Sequence, residues 1–434
     1  MESKIKVCII CHLSTREIHD ILPLRLDIGS LLLKIKNHLP LNTNVEDFAI
    51  WNVNVIAELE KYSDRIELHI IAPYSYLKPK TYECKIETTY YHFFRNDDEN
   101  IFTVAYQRFR HITPKYKKNR RSISSFISEI KPDIVHIIGA ENPAYATSIY
   151  DIPSNIPTIV QLQTLMNDPK FKENYHLRED VMDFRTRHEL AIMRKADYIG
   201  TNVTEFVRII KDILLLEKTI IATVLPLTEP IDLSVCIKEY DFVYFAADIS
   251  KSVDWAIEAF ILASKKHPEI TLDIVGGYNM DYKSQLERRL LEVGLLDKVY
   301  FEGKKQTHDD VIRQVRKSRF AVLPMKIDQL TGTIRECMAN GIPTVTNITP
   351  SSPRQNEKRL SLLLSEKDDF QAMADNMCLL LEDADFAEMI RQNASITASE
   401  RTSNASHIAK WVNAYKAIMV NRKYGTPISN DLLA

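Results

Sequence analysis

Two acidic side chains, Asp328 and Glu336, are separated by seven residues that include a glycine. Gly332 is one of only ten glycines in the chain, and its missing side chain lets backbone N–H groups approach a ligand closely. A helix that begins behind this loop directs its positive dipole at the same place. Glu336, in the first turn of that helix, then reaches hydroxyl groups of whatever the amides hold. The spacing predicts a site for a phosphorylated sugar nucleotide.

The same segment has a purely structural interpretation. Thr333-Ile-Arg-Glu336 is also a capping box, in which the glutamate reaches back to the N–H of the cap residue. The flanking pattern, in which Gly341-Ile-Pro343 leads into a β-branched run, favours the ligand site.

A cation is needed beside the diphosphate that such chemistry releases, because negative charge grows on the phosphate oxygens as the sugar–phosphate bond breaks. Lys251 stands directly before a helix opened by Ser252, so it combines a positive charge with a helix N-terminus. The alternative is a solvated surface lysine.

The elements that must position these residues alternate between short apolar runs and amphipathic stretches. Such alternation indicates βαβ units and a parallel sheet, with ligands bound outside the carboxyl ends of the strands. In the first half, strands are predicted at residues 4–11, 66–72, 133–139, 157–162 and 198–201, and helices at 47–61, 121–130 and 178–195.

The segment that begins at Asp328 resembles the signature of the family-4-type (group 1) retaining glycosyltransferases. That signature is Glu, seven residues, Glu-Ala-Met-Ala and then a strand introduced by Pro, whereas this chain reads Asp328, seven residues, Glu336-Cys-Met-Ala-Asn-Gly-Ile-Pro. Residues 243–260, 272–277, 299–303 and 320–324 resemble the preceding units in the same order. The resemblance is good over 240–420 and weak over 1–230. It implies an α/β protein of the GT-B fold, with two Rossmann-like domains facing each other across a cleft.

Site roles follow from the resemblance. It implies two catalytic residues: Asp328, which faces the donor sugar, and Lys251, which contacts the leaving diphosphate. It implies a further set of donor-binding residues: Gly277, Lys304, Gly332, Thr333 and Glu336. Thr307-His-Asp-Asp310, near the expected base site, is more simply a capping box. No metal and no cofactor are expected, because the cation and the helix dipoles supply the charge.

The second half departs from the family at one cation. Asp248 stands where the family has an arginine, so Lys304, Lys305 or Lys326 would have to supply the missing charge. A charged hydrogen bond contributes about 1.5–3 kcal/mol, so this departure bears on whether the chain is active.

The first half departs further. The family's Gly-Gly loop after the first strand is absent, and residues 12–43 stand in its place. We expect this segment to cover the cleft, with Arg16 or Arg25 replacing the lost cation. Gln163 occupies the position of an acceptor-side histidine. His136 matches the family pattern, with a structural role as the alternative, and both are retained as acceptor-side candidates.

The predicted domains are residues 1–230, on the acceptor side, and 231–401, which bind the nucleotide sugar. The boundary is placed near the Pro-punctuated segment 225–232. Residues 402–420 are expected to form a helix that crosses back to the first domain, and residues 421–434 a tail that is mobile from Arg422.

Composition limits the other classes of function. The net charge of −2 gives no drive toward nucleic acid, and six cysteines without a secretory signal or a membrane-length apolar run predict a cytoplasmic protein. Cys8-Ile-Ile-Cys11-His12 is read as a strand rather than a haem attachment string, and residues 95–100 as a solvated loop rather than a metal-binding acidic motif. A basic cluster predicts peripheral contact with a membrane or a pyrophosphate lipid, with a solvated helix start as the alternative: Lys115, Lys117, Lys118, Arg120 and Arg121.

These observations predict a metal-independent, retaining glycosyltransferase that moves a sugar from a nucleotide sugar to a glycan or glycolipid acceptor. The alternative is a weakly active or inactive glycosyltransferase-like protein that binds a nucleotide, a sugar or a partner subunit. An epimerase on the same fold has no residue in its favour. The sequence names neither the sugar, nor the base, nor the acceptor.

Overall fold

The computed structural model describes residues 4–25, 49–98, 115–174, 178–228, 236–327, 332–401 and 403–434. Most of the segment predicted to cover the cleft, together with Asp328, lies outside the described residues. Within them, two parallel-stranded sheets are each packed between helices, which confirms the predicted α/β fold class.

The first sheet has the strand order β3-β4-β2-β1-β5-β6-β7-β8, and only the β3–β4 pair is antiparallel. Its central strands are apolar and covered on both faces; all five residues of β5 are buried. Its strands are β1 (Ile5–Ile10), β2 (Ile66–Pro73), β3 (Thr81–Ile86), β4 (Thr89–Phe94), β5 (Ile134–Ile138), β6 (Thr158–Gln161), β7 (Tyr198–Gly200) and β8 (Thr219–Ile221).

The second sheet has the order β11-β10-β9-β12-β13-β14 and is parallel throughout. Gly276 is required where β10 approaches β9, because it has a φ of +143° and a Cβ there would lie 1.9 Å from the Ala246 carbonyl oxygen. Its strands are β9 (Tyr240–Asp248), β10 (Leu272–Gly277), β11 (Val299–Gly303), β12 (Ser318–Val322), β13 (Thr344–Asn347) and β14 (Leu363–Ser365).

The helices of the first domain lie on both faces of its sheet. They are α1 (Arg16–Ile21), α2 (Ile50–Glu60), α3 (Lys117–Ile130), α4 (Pro143–Ala146), α5 (Pro169–Asn174), α6 (Glu179–Lys195) and α7 (Thr204–Arg208). The helices that follow are α8 (Val253–Ala263), α9 (Met280–Glu292), α10 (His308–Val315), α11 (Gly332–Ala339), α12 (Phe370–Glu382), α13 (Ala384–Arg401) and α14 (Asn404–Tyr424). None of these described helices has both the length and the apolar character needed to cross a membrane.

Helix α14 packs on the first domain. Ile408, Trp411 and Tyr415 belong to the same buried cluster as strands β1 and β2. The tail beyond it is attached rather than loose, because Leu433 bridges to Ile221 and the N–H of Ala222 donates to the carbonyl of Leu432 at 2.8 Å.

His136 lies under this helix, in the middle of β5. Its Nδ1 is 2.8 Å from the hydroxyl oxygen of Tyr415, and its ring packs at 4.7 Å from that of Trp411. The side chain is fully buried, and burial lowers its pKa to about 3. The acceptor-side assignment of His136 is corrected by this placement: the residue is part of the core.

Candidate functional site

Both sheets have a point at which the strand order reverses, and ligands of open parallel sheets bind outside the strand ends at that point. In the second sheet the point lies between β9 and β12. Lys251 follows β9, and the segment that contains Asp328 and Glu336 follows β12. The topology therefore brings the predicted donor residues to the same sheet edge.

Lys251 ends a short 3₁₀ turn that leads through Ser252 into α8. Its side chain is exposed to solvent, yet protein lies around it on most sides, as expected for a cleft. Partial desolvation lowers the pKa of Lys251 below the usual range, and the negative charge of Asp248 opposes that shift. A bound diphosphate would favour the charged ammonium.

Glu336 is buried in the first turns of α11, with about 8% of its surface exposed. Its Oε1 lies 3.0 Å from Nε2 of His308, the first residue of α10. Thr307 caps that helix, because its Oγ1 accepts from the N–H of Asp310 at 3.1 Å. The capping interpretation of this segment is confirmed, but the sequence did not indicate that His308 reaches Glu336.

Gly332 opens α11 beside the linker between the domains. A Cβ at this position would lie 3.9 Å from Cδ2 of Leu227 and 4.0 Å from Oε1 of Glu336, so the start of the helix lies close to both side chains. The unpaired N–H groups of a first helical turn favour an anion there. Thr333 is half-buried in the same turn.

The linker is held by two buried polar side chains. Arg335 donates from Nη1 to the Leu225 carbonyl at 3.0 Å, and the side-chain amide of Asn404 bonds both the N–H and the carbonyl of Leu227, at 2.9 and 2.7 Å. Burial lowers the pKa of Arg335 to about 10, against the favourable charge of Glu336. The residues that flank the donor site thus also fix the linker.

Position 328 lies outside the described residues, but the residue before it is placed. Ile327 packs in a buried cluster with Met166, Phe171 and Met182 of the first domain. The residue before the predicted donor acid therefore lies at a contact between the two sheets' units, beside residues that follow β6.

The lysines proposed to replace the missing arginine differ in their surroundings. Lys305 donates to Glu302 at 2.6 Å, and Lys326 donates to Asp254 at 2.8 Å and lies over the ring of Trp255. Lys304 is exposed, and its Cδ is 4.0 Å from where a Cβ of Gly277 would lie. Lys304, which follows β11, therefore stands near the end of β10, and its role as a second cation stays a prediction.

The remaining candidates for that cation lie on the first domain. Arg16 is exposed on α1, and Arg25 donates to the Ser75 carbonyl at 3.2 Å. The expectation that one of them replaces the lost cation stays a prediction.

In the first sheet the strand order reverses between β1 and β5. His12 follows β1, Glu141 follows β5, and Gln163 follows the adjacent β6. With the amide of Gln163 turned to satisfy both neighbours, its nitrogen donates to Oε1 of Glu141 at 3.1 Å and its oxygen accepts from Nε1 of Trp51 at 2.8 Å. A second polar cluster thus stands at the edge of the first sheet where a ligand is expected.

Glu141 is the residue of this cluster with unusual acid–base properties. Burial raises the pKa of Glu141 to about 8, and the nearby Glu189 carboxylate adds to the shift. Its Oε2 is buried and has no hydrogen-bond partner among the described residues. Perturbed carboxyl groups in a cleft are typical of functional sites.

Two neighbours complete the electrostatics of this cluster. Glu189 is fully buried and accepts from the N–H groups of Met166 and Asn167, both at 2.9 Å; burial raises its pKa to about 7. Burial lowers the pKa of His12 to about 4, so its ring is neutral at physiological pH.

The basic cluster on α3 is only partly available for a surface contact. Arg120 forms a bidentate pair with Asp151. The other four basic side chains are exposed: Lys115, Lys117, Lys118 and Arg121. Membrane contact of this cluster stays a prediction.

The loop before this helix is not fully solvated. Asp98 is buried, and its carboxylate accepts from the N–H groups of Lys118 and Asn119, so the interpretation of residues 95–100 as a solvated loop is wrong at Asp98.

Sequence reasoning missed His308, Glu141, Glu189 and Trp51. Glu141 had one signal, since it follows a buried strand and the turn at Gly139, which has a φ of +103°. His308, Glu189 and Trp51 lie on helices, and nothing in their spacing indicates which strand end they approach.

Comparisons with known proteins agree with this geometry. Residues 238–396 match the family model described as glycosyl transferases group 1. A search of curated proteins gives no significant match to the chain.

Among solved structures, the sucrose-phosphate synthase of Thermosynechococcus elongatus is similar, with a TM-score of 0.67 and 13% identity over 96% of this chain and 100% of that one. A glycosyltransferase from Rickettsia africae has a TM-score of 0.61 and 13% identity over 96% and 99%. HepE of Anabaena, in complex with UDP and glucose, has a TM-score of 0.61 and 13% identity over 95% and 99%.

The structural likenesses confirm the GT-B fold. The family match covers residues 238–396 and confirms the resemblance of this stretch to group 1 glycosyltransferases; the expected class of enzyme, a glycosyltransferase, rests on this match.

Proposed function

From the group 1 glycosyltransferase domain that this chain carries, we propose a retaining, metal-independent transfer of a sugar from a nucleotide sugar to a glycan or lipid-linked acceptor. Glycosyl transfer itself rests on the family match. The stereochemistry, the donor and the acceptor are the proposed parts.

One observation carries the proposal. Lys251 and Glu336 follow β9 and β12, the two strands between which the order of the second sheet reverses; Lys251 precedes α8, and Glu336 is the fifth residue of α11. Two adjacent helix N-termini and a cation form a site for a diphosphate, and the carboxylate of Glu336 accepts hydrogen bonds from ribose hydroxyls.

The leaving group determines what these residues do. As the bond from the anomeric carbon to the phosphate oxygen breaks, charge builds on the diphosphate, and Lys251 with the N–H groups of α8 and α11 stabilises it. Lys304, near the end of β10, adds a second positive charge on the other side of β9. This arrangement needs no metal ion on the diphosphate.

The acceptor binds at the first sheet in this proposal. Glu141 is largely protonated at neutral pH because its pKa is raised to about 8, so it donates a hydrogen bond to an acceptor oxygen rather than removing a proton. The side-chain amide of Gln163 donates a hydrogen bond to Oε1, the other oxygen of the Glu141 carboxyl group. Retention follows when the acceptor approaches on the face from which the diphosphate leaves, and the departing phosphate then takes the acceptor proton.

A second candidate function is binding without transfer. Asp248 favours it, because an acid stands where the resemblance has an arginine, and this charge opposes the diphosphate. A nucleotide-binding partner subunit would keep Glu336 and the helix N-termini but stabilise the leaving group poorly.

The experiment that tests the proposal has two stages. A thermal-shift panel of nucleoside diphosphates and nucleotide sugars, with uridine nucleotides first because HepE was solved with UDP, identifies the donor. NMR of the product of transfer, or of slow donor hydrolysis, then reads the anomeric configuration. Retention supports the proposal, and inversion contradicts it. A bound donor that stays intact with every acceptor tested favours the second candidate.

A further inference from the structure

A second polar cluster lies in the nucleotide-sugar domain, away from the cleft. Helices α8 and α12 pack against each other. Helix α8 runs back from the end of β9 to the start of β10, so it ends at the edge of the sheet opposite the donor site. His267 lies four residues beyond the end of α8, and Cys378 and Glu382 lie one turn apart near the end of α12.

The three side chains converge. Nε2 of His267 is 2.8 Å from Oε1 of Glu382, and one ligand atom from each of His267, Cys378 and Glu382 lies within 4.8 Å of the other two. Among the described residues, this is the one group of three His, Cys, Asp or Glu side chains with such spacing. Cys378 and Glu382 project from the same face because residues four apart on a helix are neighbours.

The surroundings favour a cation. Glu269 and Asp375 add two negative charges next to the cluster, and Lys266, which lies 3.7 Å from Asp375, adds one positive charge. Both α8 and α12 also end here, and helix C-termini carry partial negative charge. A divalent cation bound here would therefore offset the repulsion among the negatively charged carboxylates and helix ends.

The two ring nitrogens of His267 face different carboxylates. Nε2 lies 2.8 Å from Oε1 of Glu382, and Nδ1 lies 4.0 Å from Oε1 of Glu269, beyond hydrogen-bond distance. Glu269 therefore adds negative charge beside the ring, and Nε2 is the nitrogen that faces the cluster.

From this geometry we propose that His267, Cys378 and Glu382 form a zinc site that joins the ends of α8 and α12. Imidazole, thiolate and carboxylate are the ligands that Zn²⁺ takes, and a water molecule completes four coordination. The site is structural, because it lies at the sheet edge opposite the donor residues.

Coordination requires two adjustments. Ligand atoms bound at about 2.0–2.3 Å from zinc are closer to one another than 4.8 Å, so the exposed Glu382 and the partly exposed His267 must rotate inward. The thiol of Cys378 must also lose its proton to solvent, because the thiolate is the ligand. Burial raises the pKa of this thiol, so the metal has to supply the energy of ionisation.

Cobalt(II) tests the site directly, because a cysteine thiolate on Co²⁺ gives a charge-transfer absorption band. The full-length apoprotein, freed of metal with a chelator, is titrated with CoCl₂ and then with ZnCl₂. We expect saturation at about one equivalent, a thiolate band, and its disappearance when zinc displaces cobalt. Cys378→Ser is expected to lose the band, and Cys84→Ser, which alters a half-buried cysteine of the first domain, to keep it.

A second measurement does not depend on replacing the buried cysteine. Zinc is expected to raise the melting midpoint of the unaltered protein, and this rise to be lost in His267→Gln and Glu382→Gln, whose side chains are partly or largely exposed. Absence of a thiolate band in the unaltered protein, or a band that survives in Cys378→Ser, would overturn the proposal. An equal zinc shift in His267→Gln would also overturn it.

Discussion

Nε2 of His308 lies 3.0 Å from Oε1 of Glu336, which connects the first residue of α10 with the first turns of α11. The two helices follow different strands, β11 and β12, on either side of the pair β10 and β9. The contact therefore fixes the direction of the carboxylate across the nucleotide site. His308 is a positioning residue for Glu336 in this account.

His308→Gln is expected to weaken nucleotide binding severalfold, because it removes the imidazole beside the Glu336 carboxylate and an ion pair of partly exposed groups contributes up to about 1 kcal/mol. Calorimetric titration with the preferred nucleoside diphosphate measures this change. Thr307→Ala is the matched control, since it removes the cap of the same helix and costs about 1 kcal/mol of stability but leaves Glu336 in place. Equal loss of affinity in both variants would show that only the helix cap matters.

Glu141 predicts a pH dependence of stability. Its pKa is about 8 in the folded protein and near 4.5 when unfolded, so the folded state binds more protons between these values and stability falls as pH rises through this window. Glu141→Gln removes the titrating carboxyl group and with it this loss of stability. We expect the difference in melting midpoint between Glu141→Gln and the unaltered protein to be more positive at about pH 9 than at about pH 6.

The control for this comparison is Glu217→Gln, an exposed glutamate of the same domain. Its midpoint should follow that of the unaltered protein across the pH range. If Glu141→Gln shows the same profile as this control, the carboxyl of Glu141 titrates normally and its role as a neutral hydrogen-bond donor is wrong.

Tyr415→Phe tests the core position of His136. The variant leaves Nδ1 of a fully buried histidine without its partner, so the free energy of unfolding should fall by about 1–2 kcal/mol in chemical denaturation. Nucleotide affinity and transfer should not change. Tyr424→Phe, at the exposed end of the same helix, should change neither property. Unchanged stability combined with altered acceptor selectivity would restore His136 to the acceptor site.

Chelation separates the donor site from the proposed zinc site. We expect nucleotide binding and transfer to survive EDTA, because Lys251 and two helix N-termini stabilise the diphosphate. EDTA should lower only the melting midpoint, through the cluster at His267. The decisive protein is Cys378→Ser, which lacks one ligand of the proposed zinc site. If EDTA abolished nucleotide binding in this variant and Mg²⁺ or Mn²⁺ restored it, the metal-independent mechanism would be contradicted.

Much of the second domain could be predicted from the sequence, because its strands resemble the units of the family in the same order. Residues 320–324 resemble one of these units, and Ser318–Val322 forms strand β12 in the structure. The expected roles of Asp328, Lys304 and Thr333 in binding the donor stay predictions.

The contacts between elements could not be predicted. A strand buried on both faces, such as β5, gives no periodicity that says which way His136 points. The pairing of His308 with Glu336 joins two helices that follow different strands, and the contact of Ile327 with Met166 joins two domains. These contacts depend on how the strands are ordered and on how the sheets face each other.

The central claim is that Lys251 and Glu336 form one nucleotide-sugar site. The most direct measurement is the melting midpoint of Lys251→Ala and Glu336→Ala with the preferred nucleotide, beside Lys416→Ala, which alters an exposed lysine of the crossing helix. A ligand at a hundred times its dissociation constant stabilises a protein by about 2.7 kcal/mol, so its loss is readily seen. The account predicts that both site variants lose the shift and that Lys416→Ala keeps it. Full shifts in both site variants would contradict the assignment.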